Sequence, residues 1–215
     1  MKLNLKRWML SGLAVGAVIS SLSACAPLVV GSAVMSGMVA IDRRTAGIQL
    51  EDEGIELRTA QGLRQNLSDA AHVNVTSYNR MVLLTGEVSS AAEKERAERL
   101  AKSQENVSSV VNDLAIEPAS SLTQRSKDAI TTGQIKALLV DAKDLQSNAF
   151  KVVTERGTVY LMGRVTQREA DRATEVTRSV SGVLRVVRVL EIITDDELRR
   201  LQQPAQAPVE DRTAK

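Results

Sequence analysis

The stretch VLLTGEV, Val82 to Val88, returns about 77 positions later as VYLMGRV, Val159 to Val165, and this echo organises the chain. Placing Gly86 on Gly163 sets Val73, Val75, Val82 and Leu84 against Phe150, Val152, Val159 and Leu161. The apolar positions alternate in both copies, as they do in strands with one buried face. Between the strands lie Tyr78-Asn79-Arg80 and Glu155-Arg156-Gly157, each short enough to close a hairpin.

A helix is predicted after each glycine, because Ser90-x-x-Glu93 and Thr166-x-x-Glu169 both read as capping boxes. Matching the two caps requires one residue fewer in the second copy, between Val88 and Ser90. Ala97, Leu100 and Ala101 then match Ala173, Val176 and Thr177. Val107, Val110, Val111, Leu114 and Ile116 match Val183, Val186, Val187, Leu190 and Ile192. A chance echo would not keep register through a helix and a third strand.

Ahead of each hairpin lies a further helical pattern. Ile135, Leu138, Leu139 and Ala142 follow the spacing of a buried stripe, and Ile55, Ala60, Leu63 and Leu67 follow it more loosely. Each copy therefore reads helix, strand, strand, helix, strand. The expected fold class is α+β: two tandem αββαβ domains, each a three-stranded sheet with two helices on one face, over residues 46–117 and 121–194.

The 215 residues are 43% hydrophobic but only 2% aromatic, so the cores must be built from Val, Leu, Ile and Ala. A single cysteine excludes an internal disulfide, and with a single histidine it argues against a Cys/His metal site. At the N-terminus MKLNLKR is cationic, and Met9 to Ile19 forms an apolar run too short to span a bilayer. Leu22-Ser23-Ala24-Cys25 follows at once. This resembles a bacterial lipoprotein signal, which implies cleavage after residue 24 and acylation of Cys25. Residues 25–45 are then a lipidated tether, and several acyl chains anchor such a tether in effect permanently. Because Ala26 is not the Asp associated with inner-membrane retention, the resemblance points to the outer membrane.

Cleavage removes Lys2, Lys6 and Arg7, leaving 25 of 28 basic residues against 26 acidic ones. The basic pI thus belongs to the targeting segment, and no nucleic-acid partner is expected. The two copies differ sharply in charge. Residues 46–117 carry 7 basic and 12 acidic groups, whereas residues 121–194 carry 12 and 8. Anionic headgroups attract basic residues by about 1 kcal/mol each near a membrane surface, which suits the second copy alone. Attraction between the two domains is the other reading of the same asymmetry, and both can hold at once.

V-x-L-x-G-x-V, a capped helix and V-x-x-V-V followed by alternating apolar residues resemble the BON domain, an αββαβ module of bacterial envelope proteins. Two copies behind a lipoprotein signal resemble the dual-BON outer-membrane lipoproteins. The resemblance implies a noncatalytic role in envelope integrity, facing the periplasm. It also implies contact of the second domain with an anionic phospholipid membrane, and association with envelope assembly or division proteins. No cofactor is expected.

Within the second copy, Ile130 lies off the core stripe of its first helix, with Lys136 and Lys143 on the other flank. These three are the candidate phospholipid-binding residues. The outer face of the second sheet carries Val153, Tyr160 and Met162 where the first has Thr76, Leu83 and Thr85. So apolar a face should pack against the first domain or a partner protein.

Catalysis finds little footing. His72 is the sole imidazole and stands where a strand begins, which suits a hydrogen-bonded structural role. Glu93, Glu95 and Glu98 alternate with Lys94, Arg96 and Arg99, as on a solvated helix face. No GxGxxG or GxxxxGK[ST] occurs. The tail, residues 195–215, opens with DDELRRLQQ, enough for one or two helical turns, and is otherwise polar and expected to be disordered.

Overall fold

The structure, a computed structural model, describes residues 42–202. The signal segment, Cys25 and the tether up to residue 41 lie outside the described residues, as does the tail beyond residue 202.

The first unit is built from α1 (Ala46–Asn66), β1 (His72–Tyr78), β2 (Met81–Val88), α2 (Ala91–Lys102), β3 (Ser109–Asn112) and β4 (Ala115–Ile116). The second repeats the plan with α3 (Leu122–Asp141), a single turn of 3-10 helix (Ser147–Ala149), β5 (Phe150–Glu155), β6 (Thr158–Val165), α4 (Gln167–Arg178) and β7 (Arg185–Ile192). In each sheet the middle strand pairs antiparallel with its hairpin partner and parallel with the strand that follows the helix. Val82 faces Val110 and Val159 faces Val186, the pairing expected from the repeat. The first copy departs in one respect. Its third strand breaks at Asp113 and Leu114 into β3 and β4, both paired with β2.

Each hairpin turns on two residues with positive φ, Asn79 (51°) and Arg80 (64°) in one, Arg156 (48°) and Gly157 (72°) in the other. These primed turns match strand twist and suit Asn79 and Gly157, but are uncomfortable for Arg80 and Arg156. A buried aspartate on the preceding helix holds each turn. Asp52 accepts the N–H groups of Asn79 (2.8 Å) and Arg80 (2.7 Å), and Asp128 those of Arg156 (2.9 Å) and Gly157 (2.9 Å). The pair occupies equivalent positions. Along α1 the buried line is Asp52, Ile55, Thr59 and Leu63, and along α3 it is Asp128, Thr131, Ile135 and Leu139. The apolar and polar members exchange places between copies, which is why the first stripe looks loose in sequence. Leu138, expected in the core, is 40% exposed.

Both echo glycines make room for backbone. A Cβ on Gly86 would lie 2.1 Å from the His72 carbonyl oxygen, and one on Gly163 would lie 2.2 Å from that of Ala149. Gly86 also has a φ of 106°.

Helix starts are capped by Thr45, Ser90, Ser121 and Thr166. The full capping box forms at Thr166 only. In the first copy the Glu93 carboxylate passes over Ser90 and accepts from the Ser89 N–H and hydroxyl and from the Ser68 N–H. The extra residue between Val88 and Ser90 shifts the reciprocal bond by one. Glu93 is consequently buried, and not on the solvated face that its charged neighbours suggest.

Each unit has its own apolar core between helices and sheet, centred on Ile55, Leu84 and Ala97 in the first and on Ile135, Leu161 and Ala173 in the second. A third core joins them. Tyr78, Leu83 and Met81 pack with Tyr160, Met162 and Val189 from the opposite helix-free sheet face. The described molecule is therefore layered helix, sheet, sheet, helix.

Both ends of the described residues are fastened to the second domain. Residues 42–45, the last four of the expected tether, are fastened down: Arg43 is buried and bonds Glu169 of the second domain at 2.6 and 2.9 Å, while Arg44 bonds Asp42 and Asp52. After Ile192 the chain forms α5 (Asp195–Gln202), where the expected tail begins. Glu197 of this helix accepts from Arg164 at 2.7 Å, so its first turns are attached to the domain by an ion pair.

Candidate functional site

The outward side of α3 carries Leu122, Ser126, Ala129, Ile130, Gly133, Ala137 and Val140, all exposed. They recur at the period of the helix and none is charged. Leu122 is 79% exposed, Val140 67% and Ile130 63%. Sequence reasoning placed Ile130 here and missed Leu122 and Val140. The signal that finds them is a line of uncharged residues along a helix whose opposite side is already committed to the core.

Lys136 borders this stripe on one edge and Ile130 stands at the other. Lys136 and Val140 also line a cleft of about 450 Å³ with Asp42, Arg44, Tyr78 and Lys151. Arg44 stacks over the Tyr78 ring at 4.2 Å, and Lys151 bonds Glu56 at 2.6 Å and the Ser77 carbonyl at 3.1 Å. Those two cations are already neutralised. Lys136 has no hydrogen bond or ion pair among the described residues, and the same is true of Lys143. Lys143 is exposed beyond the end of α3 and does not line the cleft. The structure thus joins Lys136 to the apolar stripe and leaves Lys143 apart.

Val153, Tyr160 and Met162 lie in the core between the domains, Tyr160 being 3% exposed and Met162 fully buried. The Tyr160 hydroxyl donates to Asp113 at 2.8 Å. Burial and the Asp113 carboxylate push the phenol well above its ordinary range, so it remains a donor. Asp113 is freed for this bond by the break between β3 and β4.

Around the seam, acids of the first domain meet bases of the second. Glu56 pairs with Lys151, Asp113 with Arg185, and Glu87 and Glu117 with Arg156. Glu87 is completely buried and also accepts from Ser120 N–H at 3.1 Å, with His72 Nδ1 at 3.0 Å. Glu155 approaches from the second domain and accepts from Asn74 at 2.8 Å. Burial raises its carboxyl pKa, and Glu87 adds to the rise. The charge asymmetry therefore has a visible structural use, interdomain pairing. Among the described residues no helix is long and apolar enough to cross a membrane.

The family model for the BON domain matches residues 51–118 and 127–194. The chain belongs to the BON-domain family. This BON protein is 36% identical over 175 residues to "Outer membrane lipoprotein DolP" of Haemophilus influenzae, spanning 80% of this chain and 90% of that one. It is 35% identical over 155 residues to "21 kDa hemolysin" of Actinobacillus pleuropneumoniae, covering 71% of this chain and 80% of the relative. It is 36% identical over 114 residues to "Osmotically-inducible protein Y" of Escherichia coli, with 52% and 57% covered. In domain content and coverage it is a DolP-like BON protein. These relatives do not bear the names of enzymes.

Proposed function

We propose that this BON protein is a noncatalytic outer-membrane lipoprotein, anchored at Cys25 and facing the periplasm. Its second domain engages anionic phospholipid through α3 and so supports envelope integrity. The observation that carries this reading is the uncharged, exposed stripe on α3 bordered by unpaired Lys136. A helix lying in a membrane interface buries one apolar face and holds cations at the headgroup level, gaining about 25 cal/mol per Å² of apolar area plus about 1 kcal/mol per cation. The name of the Haemophilus influenzae relative supports the location.

Flotation with vesicles of graded anionic content tests this, using a form beginning at Ala26 that cannot be acylated. Binding should rise with anionic lipid and fall with salt. Lys136→Glu should weaken it more than Lys143→Glu, since only Lys136 adjoins the stripe. Binding indifferent to lipid charge, or unchanged in Ile130→Glu, would sink the reading. A partner protein docking on Val153, Tyr160 and Met162 is not favoured, because the first domain already covers that face.

A further inference from the structure

We infer that His72, Glu87 and Glu155 form a site for a divalent transition ion of the zinc class, taking ligands from both domains. One ligand atom of each side chain lies within 4.8 Å of the others. The set holds the chain's only imidazole together with two carboxylates, a donor combination that suits zinc and its neighbours.

The charge balance of the seam argues for a cation there. Three carboxylates, Glu87, Glu117 and Glu155, converge on a single guanidinium, that of Arg156. Arg156 forms ion pairs with the first two. Glu155 is 8% exposed, forms no ion pair within 4.0 Å among the described residues, and has only Oε2 engaged, by Asn74. A buried carboxylate without a counter-charge is costly. Arg125 lines the same cleft, but its Nε is spent on the Ser120 hydroxyl at 3.2 Å and it forms no ion pair with Glu155; a divalent ion supplies the charge that Glu155 lacks.

The surroundings resemble an outer shell already in place. Arg156 Nε donates to Glu87 Oε1 at 2.5 Å and the Ser120 N–H to Oε2 at 3.1 Å, which together fix that carboxylate with Oε2 also facing His72. Asn74 orients Glu155. A cleft of about 380 Å³, lined by His72, Asn74, Asp128 and Glu155 among others, gives access from solvent. In a tetrahedral site, ligands about 2.0–2.2 Å from the metal lie roughly 3.3–3.5 Å apart; His72 Nδ1 and Glu87 Oε2, at 3.0 Å, are already that close, and no pair in the set needs to close by more than about 1.5 Å. The fourth position is left to water. On binding, His72 offers Nδ1 to the ion as the tautomer that carries its proton on Nε2, and the ion takes the place of the Nδ1–Glu87 Oε2 contact. Because His72 and Glu87 belong to the first domain and Glu155 to the second, an ion here clamps the seam.

The test is independent of membrane binding. Full-length protein in detergent micelles is stripped with chelator and titrated with zinc by calorimetry, and with cobalt by visible absorption. Saturable binding of one ion, a raised unfolding temperature and a four-coordinate cobalt spectrum are expected. Glu155→Gln keeps the Asn74 contact through its amide oxygen and should weaken binding about tenfold or more without lowering the stability of the stripped protein. His72→Gln should do likewise, and circular dichroism of both stripped variants shows whether they are folded. Absence of saturable binding by the wild type overturns the proposal. So does equal affinity in the folded variants, which would place the ion elsewhere.

Discussion

The two domains share a plan and diverge on their surfaces. α1 and α3 are equivalent helices, each with an aspartate latching the turn behind it, yet their outward sides differ. On α1, the exposed Leu50 and Leu57 stand among Glu53, Gln61 and Arg64, whereas the outward stripe of α3 carries no charge. The sheets differ too. At equivalent seam positions the second domain has Tyr160 and Met162 where the first has Leu83 and Thr85, and the first adds Tyr78 and Met81 from the end of its hairpin, so large side chains enter from different places on the two sides. Two copies of one scaffold are thus complementary to each other at the seam, and the outward side of α3 stays exposed.

The most severe way to break this complementarity is to charge the seam. Met162→Asp buries an unpaired carboxylate at a fully enclosed position and should cost about 3–5 kcal/mol, read as a lowered denaturant midpoint. The counterpart change on the exposed side of the first domain, Leu50→Asp, should leave the midpoint nearly unmoved. Removing a turn latch comes next. Asp52→Ala and Asp128→Ala each strip two backbone N–H groups of their acceptor, at about 1–3 kcal/mol per group left buried and unpaired. The effect should be larger at Asp52, which also holds Arg44 and the Ser77 hydroxyl.

The two helices are compared directly by placing the same charge on each. Ile130→Glu should lower partition into anionic vesicles about tenfold, through lost apolar burial and added repulsion. Leu57→Glu should leave it unchanged. A fall with both would mean that the whole protein, and not α3, meets the membrane.

The smallest effect concerns Glu93 and Glu169, equivalent residues with different partners. Hydrogen bonds from Ser89 and Ser68 hold the Glu93 carboxyl down to about 2, from an ordinary 4.5. At Glu169 burial pushes upward, but Arg43 and Thr166 outweigh it and keep the group below the ordinary value. A depressed folded-state pKa contributes stability that is fully present above about pH 4.5 and is lost as the pH falls through 2. Glu93→Gln should therefore flatten the stability–pH curve across that window in equilibrium unfolding. An Arg43→Met variant should change the acid limb through Glu169 while leaving the Glu93 contribution in place.

Much of the fold was legible because the repeat doubled every signal. The hairpins, the third strands and their register could be read from alternating Val and Leu, since a one-residue slip would have turned every apolar side chain to the wrong face. The break at Asp113 was not legible, because its reason is the Tyr160 hydroxyl in the other domain. Nor was the burial of Glu93 and Glu87. Charged residues are read as solvated unless their partners are known, and Ser68 for Glu93 and Ser120 and Arg156 for Glu87 lie tens of residues away along the chain. The candidate surface was half visible. Ile130 and Lys136 followed from helical spacing, whereas Leu122 and Val140 needed the true core line of α3, which includes Asp128 and Thr131 and so defeats a purely apolar template.

By itself the sequence determined the elements and their order, because helix and strand periods and caps depend on neighbours a few residues apart. It also determined the opposite charge of the two domains, which is a matter of composition. Only the tertiary structure decided that the helix-free sheet faces close on each other, that Arg43 and α5 are fastened to the second domain, and that His72, Glu87 and Glu155 converge. Those outcomes depend on contacts across tens of residues, where local patterning carries no information and side-chain shape and charge must be matched in space.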